Sequence, residues 1–185
     1  MEVLECIKNR RSIRKFSDEK ISYDELKELI NVGICAPTAQ KKEPWAFLII
    51  QDKEELKRIS DAAKEDILKN IDNMPQFKTY EKFFNDPEYN LFYEAENLIV
   101  IYGDTSTQWY KEDCSLLAEN IILAAFSKSI GTCWIGFAEP ILNSEIIRKE
   151  YKIPDNYKVV APIILGHMKY TPKPPERKEP VIFSK

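Results

Sequence analysis

The sequence predicts an α+β fold in which one sheet is covered by helices. Short apolar runs that suit strands are few, and long segments with helical periodicity and helix-capping residues separate them. The length of 185 residues is typical of one domain. A hydrophobic share of 44% suffices for a core, and a charged share of 31% supplies the surface. We therefore expect residues 1–185 to form a single domain.

Five helices are predicted from apolar periodicity and from residues that favour helix ends. Ser22 and Glu25 have the spacing of a capping box, and Asp52 opens a second such pattern. Pro37 ends the helix that Ser22 begins. The segment 109–129 is apolar over most of its circumference, which indicates a central, buried helix. The predicted helices span residues 2–9, 22–36, 52–72, 109–129 and 141–150.

The remaining segments are predicted strands, an aromatic insert and a proline-rich arm. The predicted strands span residues 45–50, 97–103 and 158–166, with a short extended piece at 131–136. The insert, residues 73–93, contains two prolines and seven Phe or Tyr. It is either a lid over a site or a loop packed on the core, and we favour the packed loop. Residues 169–185 contain four prolines and an apolar end, which predicts an extended arm that docks on another surface, such as a second subunit.

The composition argues against several classes of function. A net charge of −3 is unlike that of a nucleic-acid-binding domain. The chain lacks a run of about 18 apolar residues and a signal-peptide pattern, so we expect a cytoplasmic protein without a membrane partner. A single histidine, His167, speaks against Ser–His–Asp catalysis and against zinc sites built from histidines. The four cysteines lie far apart and suit small, buried residues.

Four short segments carry residues that suit ligand binding. Residues 10–14, Arg-Arg-Ser-Ile-Arg, could bind a phosphate or a carboxylate. Equally, they could be the basic C-terminus of the first helix, where positive charge complements the helix dipole. The polar segment 36–45 is either a plain connection or a ligand loop. The small residues in 131–136 either let the backbone approach a flat ligand closely or form a tight helix-to-strand connection. Arg177 is either a surface cation or a ligand contact. The glycine patterns of Rossmann and P-loop sites are missing, so redox chemistry needs a cofactor held in another way.

In their order along the chain, these segments resemble the FMN-dependent nitroreductase family. The matching pieces are R-R-S-I-R from Arg10, A-P-T-A from Ala36, E-P-W-A-F from Glu43, G-T-C-W-I-G from Gly131, and P-P-E-R ending at Arg177. The resemblance implies a nitroreductase-like fold with a central mixed or antiparallel sheet flanked by helices. It also implies an intertwined homodimer that binds two FMN molecules at the subunit interface, with each C-terminal arm extended across the partner.

The resemblance also implies a set of flavin contacts. Residues 10–14 would hold the phosphate, the ribityl chain and the pyrimidine edge, and Arg177 would add a second cation at the phosphate. Residues 37–41 would reach the flavin bound mainly by the other subunit, although Lys41 stands where the family usually has Asn. Residues 133–136 would run along the ring, with the N–H of Ile135 near flavin N5. The expected contacts are Arg10, Arg11, Ser12, Arg14, Pro37, Thr38, Ala39, Lys41, Cys133, Trp134, Ile135, Gly136 and Arg177.

The activity that the resemblance implies is a ping-pong reaction. NADH or NADPH would reduce FMN at N5 and leave, and a nitroaromatic, quinone or similar electron-poor acceptor would take its place. No side chain would serve as a catalytic nucleophile or base, and no metal would take part. The aromatic insert would set acceptor selectivity, through Phe77, Tyr80, Phe83 or Phe84. Two alternatives remain open: a flavin-binding sensor or carrier without turnover, and a reductive dehalogenase-type member of the same fold.

Overall fold

Seven α-helices and four strands make up the regular structure of residues 2–184, the part of the chain that the computed structural model describes. The helices are α1 (Val3–Asn9), α2 (Tyr23–Gly33), α3 (Lys53–Lys69), α4 (Glu81–Phe84), α5 (Tyr110–Ser127), α6 (Glu139–Leu142) and α7 (Glu145–Glu150). The strands are β1 (Trp45–Ile50), β2 (Asn97–Asp104), β3 (Ile130–Trp134) and β4 (Tyr157–His167). Within this part of the chain, no helix is both long and apolar enough to cross a membrane.

The four strands form one antiparallel sheet in the order β1-β2-β4-β3. The central strands β2 and β4 are mostly buried, whereas β1 at one edge is half-buried. A parallel bridge between Ser12 and Thr132 adds the arginine-rich segment to the outer edge of β3, which makes the sheet mixed at that edge. The predicted α+β fold, with a mixed and mainly antiparallel sheet flanked by helices, is confirmed.

Helices cover both faces of this sheet and create two apolar layers. Side chains alternate along β2, so that Ile99 and Ile101 pack in the layer of α2 and α5. Leu98 and Val100 point to the opposite face and pack with α3 and α6. The predicted burial of the long helix is confirmed, because much of α5 lies inside the first layer.

Three of the predicted helices differ from the observed ones in their ends or their continuity. The helix expected over 22–36 ends at Gly33, and the one expected over 52–72 ends at Lys69. The helix expected over 141–150 is two short helices, α6 and α7, because the chain is tied down between them. There the side chain of Asn143 accepts a hydrogen bond from the N–H of Val159 at 3.0 Å, and Ser144 caps α7.

The C-terminal arm packs on little of its own chain. Residues 169–184 form no helix or strand, which confirms that the proline-rich arm is not helical. The side chains of Val181, Ile182 and Phe183 are 80%, 77% and 95% exposed. Such a run of exposed apolar side chains is typical of a segment that docks on a partner.

An apolar plug holds residues 10–14 against β3. Ile13 is only 1% exposed, and its N–H donates to the carbonyl of Thr132 at 2.8 Å. Gly131 leaves the room that this plug needs, because a Cβ there would lie 2.7 Å from side-chain carbons of Ile13. Neighbouring residues of an extended segment point to opposite sides. Burial of Ile13 therefore directs Ser12 and Arg14 outward, and both are exposed.

Replacement of Gly131 by Ala tests this plug. We expect the variant to lose about 1–3 kcal/mol of unfolding free energy, because the added methyl group overpacks the site of Ile13. Urea denaturation followed by circular dichroism measures the loss. Gly136→Ala is the matched control, since nothing lies within 4 Å of the Cβ position at Gly136. An equal loss of unfolding free energy in both variants would contradict the claim that Gly131 leaves room for Ile13.

Candidate functional site

The three arginines of residues 10–14 have different surroundings. Arg10 is half-buried and pairs through Nε with Glu119 at 3.3 Å. Arg11 donates to the carbonyls of Lys8, at 2.8 Å, and Arg10, at 2.6 Å. It therefore satisfies carbonyls at the end of α1, which is the helix C-terminus alternative of the sequence analysis. Arg14 is exposed and lies beside the end of β3.

The main candidate site is a groove of about 590 Å³ at the end of β3. It is lined by Arg14, by residues 133–137, by Glu139 and by side chains of the aromatic insert. The guanidinium carbon of Arg14 lies 5.5 Å from the centre of the Tyr93 ring, which is a cation–π distance. The structure thus brings Arg14 together with four further expected contacts, Cys133, Trp134, Ile135 and Gly136.

Two neighbouring backbone N–H groups at the end of β3 differ in whether the fold already uses them. The N–H of Ile135 donates to the carbonyl of Pro162 at 2.8 Å, so this donor is already used inside the fold. Its place near flavin N5 stays a prediction, and this hydrogen bond makes it a weaker donor for a ligand. The next N–H, that of Gly136, has no acceptor among residues 2–184. Gly136 is also exposed and has open space around its Cβ position, so a flat ligand can approach its backbone.

The cysteines do not supply a reactive thiolate to the groove. Burial raises the pKa of the Cys133 thiol, although Arg14 and Ser12 act in the opposite direction. Burial also raises the pKa of Cys114 to about 12. Both groups therefore stay protonated at neutral pH. The expectation that all four cysteines are buried is wrong for Cys35, which is exposed near the end of α2.

The loop that carries Pro37, Thr38, Ala39 and Lys41 lies outside the groove of its own chain. The N–H of Ala39 donates to Oδ1 of Asp113 at 3.0 Å, which fixes the loop to the first turn of α5. Asp113 is only 4% exposed, and its Oδ2 has no hydrogen-bond partner in the described part of the chain.

The loop also turns sharply. Gln40, Lys41 and Glu43 have φ values of 55°, 56° and 46°, in the left-handed region. These turns leave Pro37 and Lys41 exposed.

Arg177 also lies outside the groove. It is exposed in the C-terminal arm and forms no ion pair with the other residues that the structure describes. One chain therefore brings together only part of the expected contact set.

The aromatic insert contributes some side chains to the core and others to the wall of the groove. Phe84, Leu91 and Phe92 are buried, as the packed-loop interpretation requires. Phe77 and Tyr80 line the groove and pack edge-to-face on Phe137, with ring centres 5.2 and 5.0 Å apart. Two of the four expected pocket residues, Phe77 and Tyr80, are thus part of the groove.

Six residues described here were not singled out from the sequence: Gln76, Leu91, Tyr93, Phe137 and Glu139 line the groove, and Asp113 holds the loop outside it. Phe137 and Glu139 follow the Gly131–Gly136 motif directly, and their short distance along the chain was the signal that could have found them. Tyr93 has a left-handed φ of 53°, which is uncommon for an aromatic residue and turns its ring toward Arg14. Asp113 looked like an ordinary acidic residue in the first turn of a helix.

Comparisons with known proteins point to one family. A sequence profile described as the nitroreductase family covers residues 7–167. Two archaeal proteins named "Putative NADH dehydrogenase/NAD(P)H nitroreductase" are similar to the chain. The one from Archaeoglobus fulgidus is 30% identical over 91% of this chain and 86% of its own. The one from Methanothermobacter thermautotrophicus is 29% identical over 90% and 78%.

A solved structure gives the same result for the fold. The crystal structure of a nitroreductase with bound FMN from Bacteroides fragilis superposes with a TM-score of 0.86 at 27% identity, covering 99% of this chain and 98% of that one. The profile match spans most of the sequence, and the fold agrees over nearly the whole length. The chain belongs to the nitroreductase family.

Proposed function

We propose that the protein is an FMN-dependent oxidoreductase that takes electrons from NADH or NADPH and passes them to nitroaromatic, quinone or similar electron-poor acceptors. One observation carries the proposal: Arg14 and the free N–H of Gly136 lie on the same groove. The relatives named as NAD(P)H nitroreductases and the similar structure with bound FMN support it.

The residues present fit a flavin. A reduced flavin carries negative charge at its pyrimidine side, and the exposed guanidinium of Arg14 suits that charge. The N–H of Gly136 is an unused donor for the central ring, and we propose it in place of Ile135. Ser12 is exposed on the same side of the segment as Arg14 and suits the ribityl chain or the phosphate. Arg10 uses only Nε on Glu119, so its terminal nitrogens suit the phosphate.

The chain's own side chains bind and orient, and the bound cofactor supplies hydride and electron transfer. The thiols near the groove are protonated, and His167 lies outside it, with Nε2 3.7 Å from Glu19. The groove therefore offers no activated nucleophile and no histidine base. The aromatic wall of Phe77, Tyr80 and Phe137 presents apolar area to a flat acceptor.

We infer that the remaining contacts come from a second copy of the chain. The loop with Pro37, Thr38, Ala39 and Lys41, and the arm with Arg177, lie outside the groove of their own chain. Val3, Leu4 and Ile7 on α1 are exposed together with the apolar end of the arm. Exposed apolar patches of this kind are typical of subunit interfaces. A homodimer would cover them and would bring the loop and the arm to the partner's groove.

An absorbance spectrum of the purified protein tests the function directly. We expect flavin bands near ~450 nm that bleach rapidly after anaerobic addition of NADH or NADPH and recover on addition of a nitroaromatic or quinone. A protein that takes up no FMN contradicts the proposal. A protein that binds FMN but bleaches slowly with both donors is instead a sensor or carrier.

Neutralisation of Arg14 tests the proposed flavin contact. We expect Arg14→Met to weaken FMN binding at least about tenfold, because a charge-assisted hydrogen bond is lost. The flavin midpoint potential should also become more negative, because the reduced form loses a cation. Fluorescence titration and reductive titration with a reference dye measure both effects. Lys15→Met, which removes a neighbouring charge outside the groove, is the control and should change neither value.

The proposed dimer has a simple test. Analytical ultracentrifugation should give twice the chain mass of 21.6 kDa. Phe183→Ser should raise the dissociation constant of the dimer at least about tenfold, because a large apolar side chain loses its buried contact. Lys178→Ser in the same arm serves as the control. A monomeric wild type, or equal weakening by both substitutions, would contradict the role of the arm.

A further inference from the structure

Glu139 is the carboxylate of the groove. It begins α6, directly after the turn Gly136–Ala138, and its side chain lines the groove together with Phe77, Tyr80 and Phe137. Across residues 2–184, no lysine, arginine or histidine forms an ion pair with it. Its carboxylate therefore has no cationic partner within this described part of the chain.

Among residues 2–184, two charged side chains line this groove, those of Arg14 and Glu139. On the proposed function, on which this inference rests, Arg14 belongs to the flavin, and its guanidinium is already held over the ring of Tyr93. Among the described groove-lining side chains of the same chain, the charge left for an acceptor to meet is then that of Glu139. Two unit charges a few ångströms apart near a protein surface interact strongly enough to change affinity severalfold or more.

The aromatic rings beside Glu139 favour cationic ligands, as its negative charge does. Phe137 is packed edge-to-face by Phe77, Tyr80 and Phe84, with ring centres 5.0–5.2 Å apart. Aromatic faces attract cations, and Glu139 adds a full negative charge to them. The polar groups beside these rings, such as the amide of Gln76 and the hydroxyl of Tyr80, are neutral. Aromatic rings with one carboxylate favour a flat ligand that is neutral or positively charged.

We propose that Glu139 selects acceptors by charge. The preferred acceptors are electron-poor aromatic molecules that are neutral or carry a quaternary ammonium or pyridinium group. Acceptors with a carboxylate or sulfonate beside the ring are disfavoured, because Glu139 repels them and the aromatic wall offers no compensating cation.

Three nitroarenes of similar size test the proposal: 4-nitrobenzyltrimethylammonium, 4-nitrobenzyl alcohol and 4-nitrophenylacetate. For each, kcat/KM is measured with the flavin-loaded wild type and with Glu139→Gln. Comparison of variant with wild type cancels the intrinsic reactivity of each compound. We expect the cation-to-anion ratio of kcat/KM to fall roughly tenfold in the variant, with the neutral alcohol little changed.

Glu145→Gln is the matched control, since it removes the same charge from α7, where the side chain lines a different cavity. An unchanged cation-to-anion ratio in Glu139→Gln, or an equal change in Glu145→Gln, overturns the proposal. Binding provides a second readout without turnover: quenching of tryptophan fluorescence by benzyltrimethylammonium and by phenylacetate, which cannot be reduced. The wild type should bind the cation more tightly, and Glu139→Gln should lose this preference.

The two proposals fail in different ways. If the alcohol is reduced and the flavin bleaches but the charge series is flat, the charge selection by Glu139 is wrong while the oxidoreductase function stands. If the protein takes up no flavin, the function is wrong. The fluorescence titration then still decides whether Glu139 favours cations in this groove.

Discussion

The seating of Ile13 against Gly131 is the contact on which the rest of the site depends. An extended segment can bury only every second side chain, so one buried isoleucine directs Ser12 and Arg14 to solvent. The bridge between Ser12 and Thr132 then sets the register of residues 10–14 against β3. Arg14 consequently lies beside the residues that follow the strand. A glycine at position 131 is required because any side chain would occupy the space of Ile13.

The opposite wall of the groove is held by polar contacts of α3. Ser60 Oγ accepts a hydrogen bond from the buried N–H of Leu91 at 2.9 Å. Lys64 is nearly buried and donates to the carbonyl of Tyr89 at 2.8 Å. These bonds satisfy backbone groups that a loop would otherwise leave unpaired in the core. The second half of the insert is therefore fixed, and the rings of Phe77 and Tyr80 in the first half pack on Phe137.

Features with a local cause could be predicted from the sequence, and features with a long-range cause could not. The capping box of Ser22 and Glu25 forms as its spacing indicates, because both partners lie within one helical turn. The hydrogen bond from the N–H of Ile135 to the carbonyl of Pro162 depends on the pairing of two segments that are distant in sequence. The hydrogen bond from Ala39 to Asp113 joins residues 74 positions apart. The resemblance named candidate segments, but it could not show which donors the fold had already used.

The position of the missing contacts has a thermodynamic consequence for the proposed assembly. Arg14 and Gly136 are supplied within one chain, whereas the loop fixed by Asp113 and the arm with Arg177 lie outside that chain's groove. If both reach the partner's flavin, each cofactor contacts two subunits, so the ligand binds the dimer more tightly than the monomer. Mass action then makes FMN stabilise the dimer, and linkage requires dimerisation to strengthen FMN binding by the same factor. Exposed apolar residues on α1 and the arm are then a structural requirement of cofactor binding as well as of association.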